Sequence, residues 1–206
     1  MRRFEDLRIL VSAFTCDVPH FVSGNAIREA CRDFFRQTRS YQVVVDLPFA
    51  KGQEDVDIEL YEIGLEVVAN IKATNDVGKK VVLLPSRNKP DRNIVTGKPT
   101  TLYGDINKTI TGYPVPDKDY DYQLTAAVRP SFDAEGIDGA ALGENEEAIR
   151  FGALAILKSQ INTSWYSPDE VQYFKQMFND QVNQKKIDIY TDTSAMVVDM
   201  DIPSFL

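Results

Sequence analysis

Histidine and cysteine are scarce in this chain: its 206 residues include one histidine and two cysteines. A Ser-His-Asp or Cys-His mechanism would have to run through His20, which follows Pro19 where a loop is expected to enter a helix, so His20 is not read as catalytic. Cys16, His20 and Cys31 offer three zinc ligands at most, and Cys31 belongs to the apolar side of a helix, so no metal site is expected. Two cysteines are also too few for a disulfide framework, which points to a reducing cytoplasm with both thiols free. No stretch approaches the roughly 20 apolar residues of a membrane helix, and Glu5, Asp6 and Arg8 interrupt the first residues. Neither a membrane span nor a signal peptide is therefore expected.

Basic residues are in deficit too. The 23 lysines and arginines face 31 aspartates and glutamates, giving a formal charge of −8 and a pI near 4.7. That balance disfavours tight binding of nucleic acid, which depends on releasing counterions to a basic surface. What is present is an ordinary globular composition, 43% hydrophobic and 26% charged. The length suits one large domain or one domain carrying a smaller lobe.

From Ser23 to Tyr41 the residues Ile27, Ala30, Cys31, Phe34, Phe35 and Thr38 recur at helical spacing, so an amphipathic helix is expected over 23–39. Pro19 and Ser23 or Asn25 offer its break and cap, and Arg28, Arg32, Arg36 and Arg39 are placed on its outer face. Cys31 is read as a small core residue, not a nucleophile. A second helix is expected over 144–161. Its first turn carries Glu144, Glu146 and Glu147, and Ile149, Phe151, Leu154, Ile156, Leu157 and Ile161 make it the central, buried one. Gly152 would let a neighbour approach closely. A third helix is expected over 168–185, with Ser167 as cap, Pro168 in the first turn, Glu170 completing a capping box, and Val171, Phe174, Phe178 and Val182 as its core stripe.

Between Tyr41 and Arg129 the period changes from 3.6 to 2. Val43, Val45 and Leu47 recur at every second position, and Val56, Ile58 and Leu60 alternate strictly with acidic neighbours. Further strands are expected at 64–72, 80–84, 100–103, 108–113 and 122–128, in an antiparallel sheet because no helical crossover is visible among them. Thr96-Gly97-Lys98-Pro99-Thr100 lacks the leading glycine of a phosphate loop and reads as a turn. Asp117, Asp119 and Asp121 open like a calcium loop, but Tyr122 and Val128 stand where the glycine and glutamate belong, so a hairpin turn is expected. After Lys186 no basic residue occurs, and apolar residues are spread among acids and hydroxyls without helical period. This reads as a terminal arm, packed on its own domain or ordering on a partner.

Three stretches carry a resemblance. They are NAIREACRDFFRQTRSY (25–41), KPTTLYGDINKTITGYPVPDKDYDYQLTAAVRPS (98–131) and NEEAIRFGALAILKSQINTSWYSPDEVQYFKQMF (145–178). Their order and spacing resemble the head–tail connector adaptors of tailed bacteriophages, in particular the tail tubular protein A-like adaptors of short-tailed phages. The matching pieces are Ala26 to Thr38, Pro114 with Pro116-Asp117, Val128 to Ser131, Ala148-Ile149 with Gly152-Ala153-Leu154, and Trp165 with Ser167-Pro168. Cys16-Asp17-Val18-Pro19 only approximates the family's landmarks before its first helix, and the residues after Lys186 match no motif of it.

The resemblance implies an α+β protein: a helical bundle (1–40 and 130–186) with an inserted antiparallel β domain (41–129) and an extended C-terminal arm (187–206). It implies a virion structural protein of the neck or tail, assembled in the host bacterial cytoplasm, with no catalytic residues, cofactor or metal. The expected partners are further copies of itself in a twelvefold ring, the portal protein, the tail tube or nozzle, and genomic DNA in transit; no membrane is involved. By position, Ile189, Tyr190, Val197, Met200, Ile202 and Phe205 are expected to bind the portal. Arg28, Arg32, Arg36 and Arg39 are expected to face a neighbouring subunit or the lumen. Two readings from other classes compete, a tail-associated carbohydrate-active enzyme acting through facing carboxylates and a sheet-based binding module.

Overall fold

The computed structural model describes residues 1–15, 17–61, 64–90, 95–105 and 109–195, and it falls into two units. A helical unit combines Met1–Ser40 with Ile137–Leu206, and a sheet unit spans Tyr41–Gly136. The class is mixed α and β.

The helical unit carries β1 (Arg2–Arg3), α1 (Ile9–Ser12), α2 (His20–Thr38), α3 (Gly139–Gly143), α4 (Glu146–Lys158) and α5 (Pro168–Ala195). Apolar residues at helical spacing bury one side of α2, with Ile27, Cys31 and Phe35 fully inaccessible. The helix starts at His20 and not at Ser23. Pro19 holds the cap position, and Ser23 lies a turn inside, its hydroxyl donating to the His20 carbonyl at 2.9 Å. Arg39 stops the helix in a left-handed conformation, φ 56°, while its N–H donates to the Phe35 carbonyl at 2.9 Å.

The helix expected over 144–161 is shorter. Asp138 caps α3 instead, its carboxylate accepting from the Ala140 and Ala141 N–H groups at 3.1 and 3.2 Å, and α4 begins afresh at Glu146. Ile161 falls beyond α4 and is 70% exposed. The last helix is longer than expected: α5 has 28 residues and includes 187–195, which the sequence reading placed in a non-helical arm. The buried stripe Val171, Phe174, Phe178 and Val182 is continued at helical spacing by the half-buried Ile189. Local bonds support the extension, with the Gln184 amide donating to Asp188 at 2.8 Å and the Thr191 hydroxyl to the Ile187 carbonyl at 2.9 Å.

Helix α4 packs against both α2 and α5. The close approach expected at Gly152 is present: a Cβ there would sit 2.9 Å from ring carbons of Phe178 and 3.0 Å from the Ala30 Cβ.

The sheet unit carries β2 (Gln42–Phe49), β3 (Asp55–Asp57), β4 (Leu65–Asn75), β5 (Lys80–Leu84), β6 (Thr96–Gly97), β7 (Thr101–Gly104), β8 (Thr109–Tyr113), β9 (Val115–Pro116) and β10 (Tyr120–Pro130), with β11 (Gly136–Ile137) at its end. Seven of these form one sheet in the order β2-β10-β4-β5-β7-β8-β3, and the edge strands β2 and β3 return towards each other, so the sheet nearly closes. Period-2 alternation sends Val45, Leu47 and Phe49 of β2 and Tyr122, Leu124 and Ala126 of β10 into the interior.

The sheet is mixed, which corrects the antiparallel expectation. Strands β5 and β7 run parallel, from Val82 opposite Thr101 to Leu84 opposite Tyr103, and so do β6 and β9. A parallel neighbour needs a long return connection, most often a helix. Here the stretch from Pro85 to Thr100 supplies it, using a 3-10 turn at Ser86–Asn88 and the short β6.

Two outcomes follow from these cores. Gly152→Ala forces either the Phe178 ring or α2 aside and is expected to lower unfolding free energy by about 1–3 kcal/mol; urea titration checks this, and unchanged stability would mean that the helices can part freely. The Tyr122 hydroxyl donates to the Pro99 carbonyl at 2.6 Å, and burial, followed by the neighbouring Tyr120 and Asp76, raises its phenol from 10.0 to about 12. A raised folded value means that the unfolded state releases its proton first as the solution becomes alkaline. The contribution of Tyr122 to stability is therefore fully present below pH 10 and lost as pH rises towards about 12. Tyr122→Phe should flatten that alkaline decline while costing about 1 kcal/mol at neutral pH for the lost hydrogen bond, both read from melts against pH.

Candidate functional site

The candidate surface lies on the helical unit, and its position is set by how α5 begins. Lys158, the last residue of α4, is buried, and its Nζ meets the Glu170 carboxylate in the first turn of α5 at 2.5 Å. The Ser167 N–H donates to the Lys158 carbonyl at 3.1 Å. Together these fix where α5 leaves α4. The helix then runs back along α4, burying Phe174 and Phe178, until Lys185 reaches Glu144 at 3.4 Å.

At 1.5 Å per residue α5 is about 42 Å long and α4 about 20 Å. The end of α5 thus outruns the helix it packs on. There Ile187 is 57% and Tyr190 75% exposed, while Ile189 continues the buried stripe. A helix end with apolar residues turned to solvent has little intrinsic stability and offers a partner an apolar stripe.

Of the residues expected to bind the portal, Ile189 and Tyr190 belong to this helix end, on different sides of it. Val197, Met200, Ile202 and Phe205 lie outside the described residues, as does Cys16.

The four arginines do not form one exposed face, contrary to the sequence reading. Arg32 is buried. Arg28 is half-buried, donating to the Asn25 side chain at 2.5 Å with its guanidinium 5.9 Å from the Phe4 ring centre. Arg36 is exposed and paired with Asp33 at 2.5 Å, and Arg39 is the left-handed residue that ends α2. The four positions share an arc of about 80° at 100° per residue, and Arg32 is covered although it stands in the middle of that arc.

Cys31 is fully buried on the inner side of α2, and burial pushes its thiol up, away from the reactive thiolate. His20 accepts at Nε2 from the Arg8 guanidinium at 2.5 Å. The three aspartates of the hairpin are taken up separately: Asp117 accepts from the Tyr120 hydroxyl at 2.8 Å, Asp119 from the Lys51 N–H at 2.8 Å, and Asp121 lies opposite Pro48 in the ladder.

Two features escaped the sequence reading. One is the Lys158–Glu170 pair, for which the only signal was a lysine ending an otherwise apolar helix. The other is an open cleft of about 630 Å³ in the sheet unit, lined by Ala69, Asn70, Ile71, Leu83, Leu84, Pro85, Gly104 and Asp105. It depends on strand register, which a linear sequence does not display.

No protein-family model matches the chain, and no curated protein matches it. Among the described residues no helix is long and apolar enough to cross a membrane.

Because Glu170 meets the buried Lys158 ammonium, Glu170→Gln should loosen the start of α5 and cost about 1–2 kcal/mol. Chemical denaturation checks the size, and faster amide exchange confined to the first turns of α5 checks the place.

Proposed function

We propose that this chain is a structural head–tail adaptor of a tailed phage, forming a ring that joins the portal to the tail tube or nozzle and surrounds the path of the exiting DNA. The observation that supports this most directly is where the resembling segments fall. Ala30 comes from the first, Gly152 and Phe178 from the third, and all three residues meet at the tightest contact of the helical unit. The second segment supplies β7, β8, β9 and β10 of the sheet unit. Motif residues distant in sequence are thus concentrated at structural junctions, as expected when a family motif encodes a shared packing.

A ring requires two different complementary faces on each subunit. A helical unit interrupted in sequence by a separate sheet unit has the surfaces to supply them. The end of α5, with Ile187 and Tyr190 exposed, is the portal-facing element in this reading. The net charge of −8 suits a conduit, since DNA would slide past without the counterion release that holds it to basic surfaces.

The test is co-sedimentation with the cognate portal ring. Stoichiometric association is expected, and Ile187→Asp with Tyr190→Asp should weaken it at least about tenfold by removing two exposed apolar anchors. No association of the unaltered chain with the portal at any ratio would overturn the proposal.

A further inference from the structure

We propose that the cleft between β4 and β5 is a strand-acceptor site and that its occupant is the segment 198–202 of a second copy of the chain. The ladder between the two strands contains Ala73 opposite Val81 and Thr74 opposite Lys80, and then stops although both strands run on. The next positions in register would place Ile71 against Leu83, Asn70 against Leu84 and Ala69 against Pro85. These six residues line the cleft. The cleft is therefore the opened continuation of a hairpin, flanked by two strand edges.

The opening has a cause on each side. On β4 the register against β10 slips twice, since Thr125 faces Lys72 but Ala126 faces Asn70, and Ala127 faces Ala69 but Val128 faces Val67. Ile71 and Val68 are the extra residues of two bulges, and bulges bend the strand that carries them. On the other side β5 turns away to pair in parallel with β7.

The cleft holds an unmet demand. The Asn70 side-chain oxygen is buried without a hydrogen-bond partner, while its amide nitrogen donates to the Asp105 carbonyl at 3.2 Å. Buried acceptors are rarely left unpaired. An extended chain entering here would bring N–H groups to that oxygen and to the free edge of β4, the geometry of strand addition. The exposed residues at the closed end of the cleft include Lys72 and Lys80, and at the far end Asp105 is engaged by the Ser86 N–H at 3.2 Å.

The matching segment is on the same chain. Val198-Asp199-Met200-Asp201-Ile202 alternates apolar and acidic residues with the period of a strand, and no basic residue follows Lys186. Its aspartates complement Lys72 and Lys80, and its apolar residues suit Ile71 and Leu83, which the register would set opposite each other. The inference rests on the ring reading, which brings a second copy within reach, and the resulting head-to-tail link is heterologous as a ring requires. It leaves the helical end of α5, with Ile187 and Tyr190, to the portal.

Amide exchange of the full-length chain, followed by mass spectrometry across Ala69–Ile71 and Leu83–Leu84, tests this. Protection should rise about tenfold or more with protein concentration. The variant Val198→Asp, Met200→Asp, Ile202→Asp, altered only in the tail, should stay unprotected at every concentration, and a synthetic peptide of residues 196–206 should restore protection to it. Exchange that is unchanged throughout, protection that does not depend on concentration, or protection by the peptide elsewhere on the chain would each overturn the proposal. Portal co-sedimentation of the same samples separates the two readings. Peptide protection without portal binding upholds the acceptor site and sinks the adaptor, and portal binding with an unprotected cleft does the reverse.

Discussion

At Gly152 the central helix comes so near to its neighbours that the first carbon of any side chain would overlap Phe178 of α5 and crowd Ala30 of α2. That contact makes α4 a helix with two inner sides, which is why Ile149, Ala153, Leu154 and Leu157 are all fully inaccessible. A helix buried on both flanks has few places for a charge, and its one lysine, Lys158, sits at the very end, where it can meet Glu170. Since that pair marks the start of α5, the tight packing of α4 indirectly determines the line along which α5 runs. A helix of 28 residues packed on one of 13 must overshoot it. The stretch of α5 beyond Lys185 is thus left without α4 beside it as a geometric consequence of a buried contact, while Ile187 and Tyr190 stand on the side of the helix away from its packing stripe.

The sheet unit meets a different constraint. Its longest strands, β4 and β10, have 11 residues each, and β10 is paired on both sides, with β2 and with β4. Bringing β3 back towards β2 demands strong curvature, and bulges are the usual means of obtaining it. The two slips in β4 provide that curvature close to where the β4–β5 ladder ends. Near-closure of the interior and opening of the cleft are therefore two effects of the same local geometry. The interior gains a filled core around Leu102, Ile110 and Leu124, and the surface keeps an unpaired strand edge beside a buried acceptor.

The parts of the fold governed by period were legible. Helical spacing from Ile27 to Thr38 marked α2, and alternation marked β2, β3 and β10, because burial of one face leaves a regular trace in sequence. Ends were less legible. His20 begins α2 without a side-chain cap, and the acids and hydroxyls after Lys186 masked the stripe from Val182 to Ile189, which the Gln184–Asp188 pair reinforces. Strand direction was not legible at all between β5 and β7, since the connection 85–100 shows no helical period in sequence that would announce a crossover. The arginines misled because charge was read as exposure. Arg32 is buried.

That last point bears on what could hold copies or partners together. No lysine precedes Lys51, yet in α2 the arginine side chains are largely engaged within their own unit, Arg28 with Asn25 and Arg36 with Asp33. Exposed ion pairs contribute little, about 0–1 kcal/mol each, and are weakened by salt. An interface built on the outer face of α2 would therefore be poorly anchored. Exposed apolar residues at a helix end and unpaired main-chain groups at a strand edge offer more, because each removes apolar surface or an unmet hydrogen bond from water. In a chain with this acidic balance, charge is better suited to selecting among partners than to binding them. In the acceptor-site reading, Lys72 and Lys80 leave one local exception beside the cleft, where an acidic strand would be admitted and a basic one turned away.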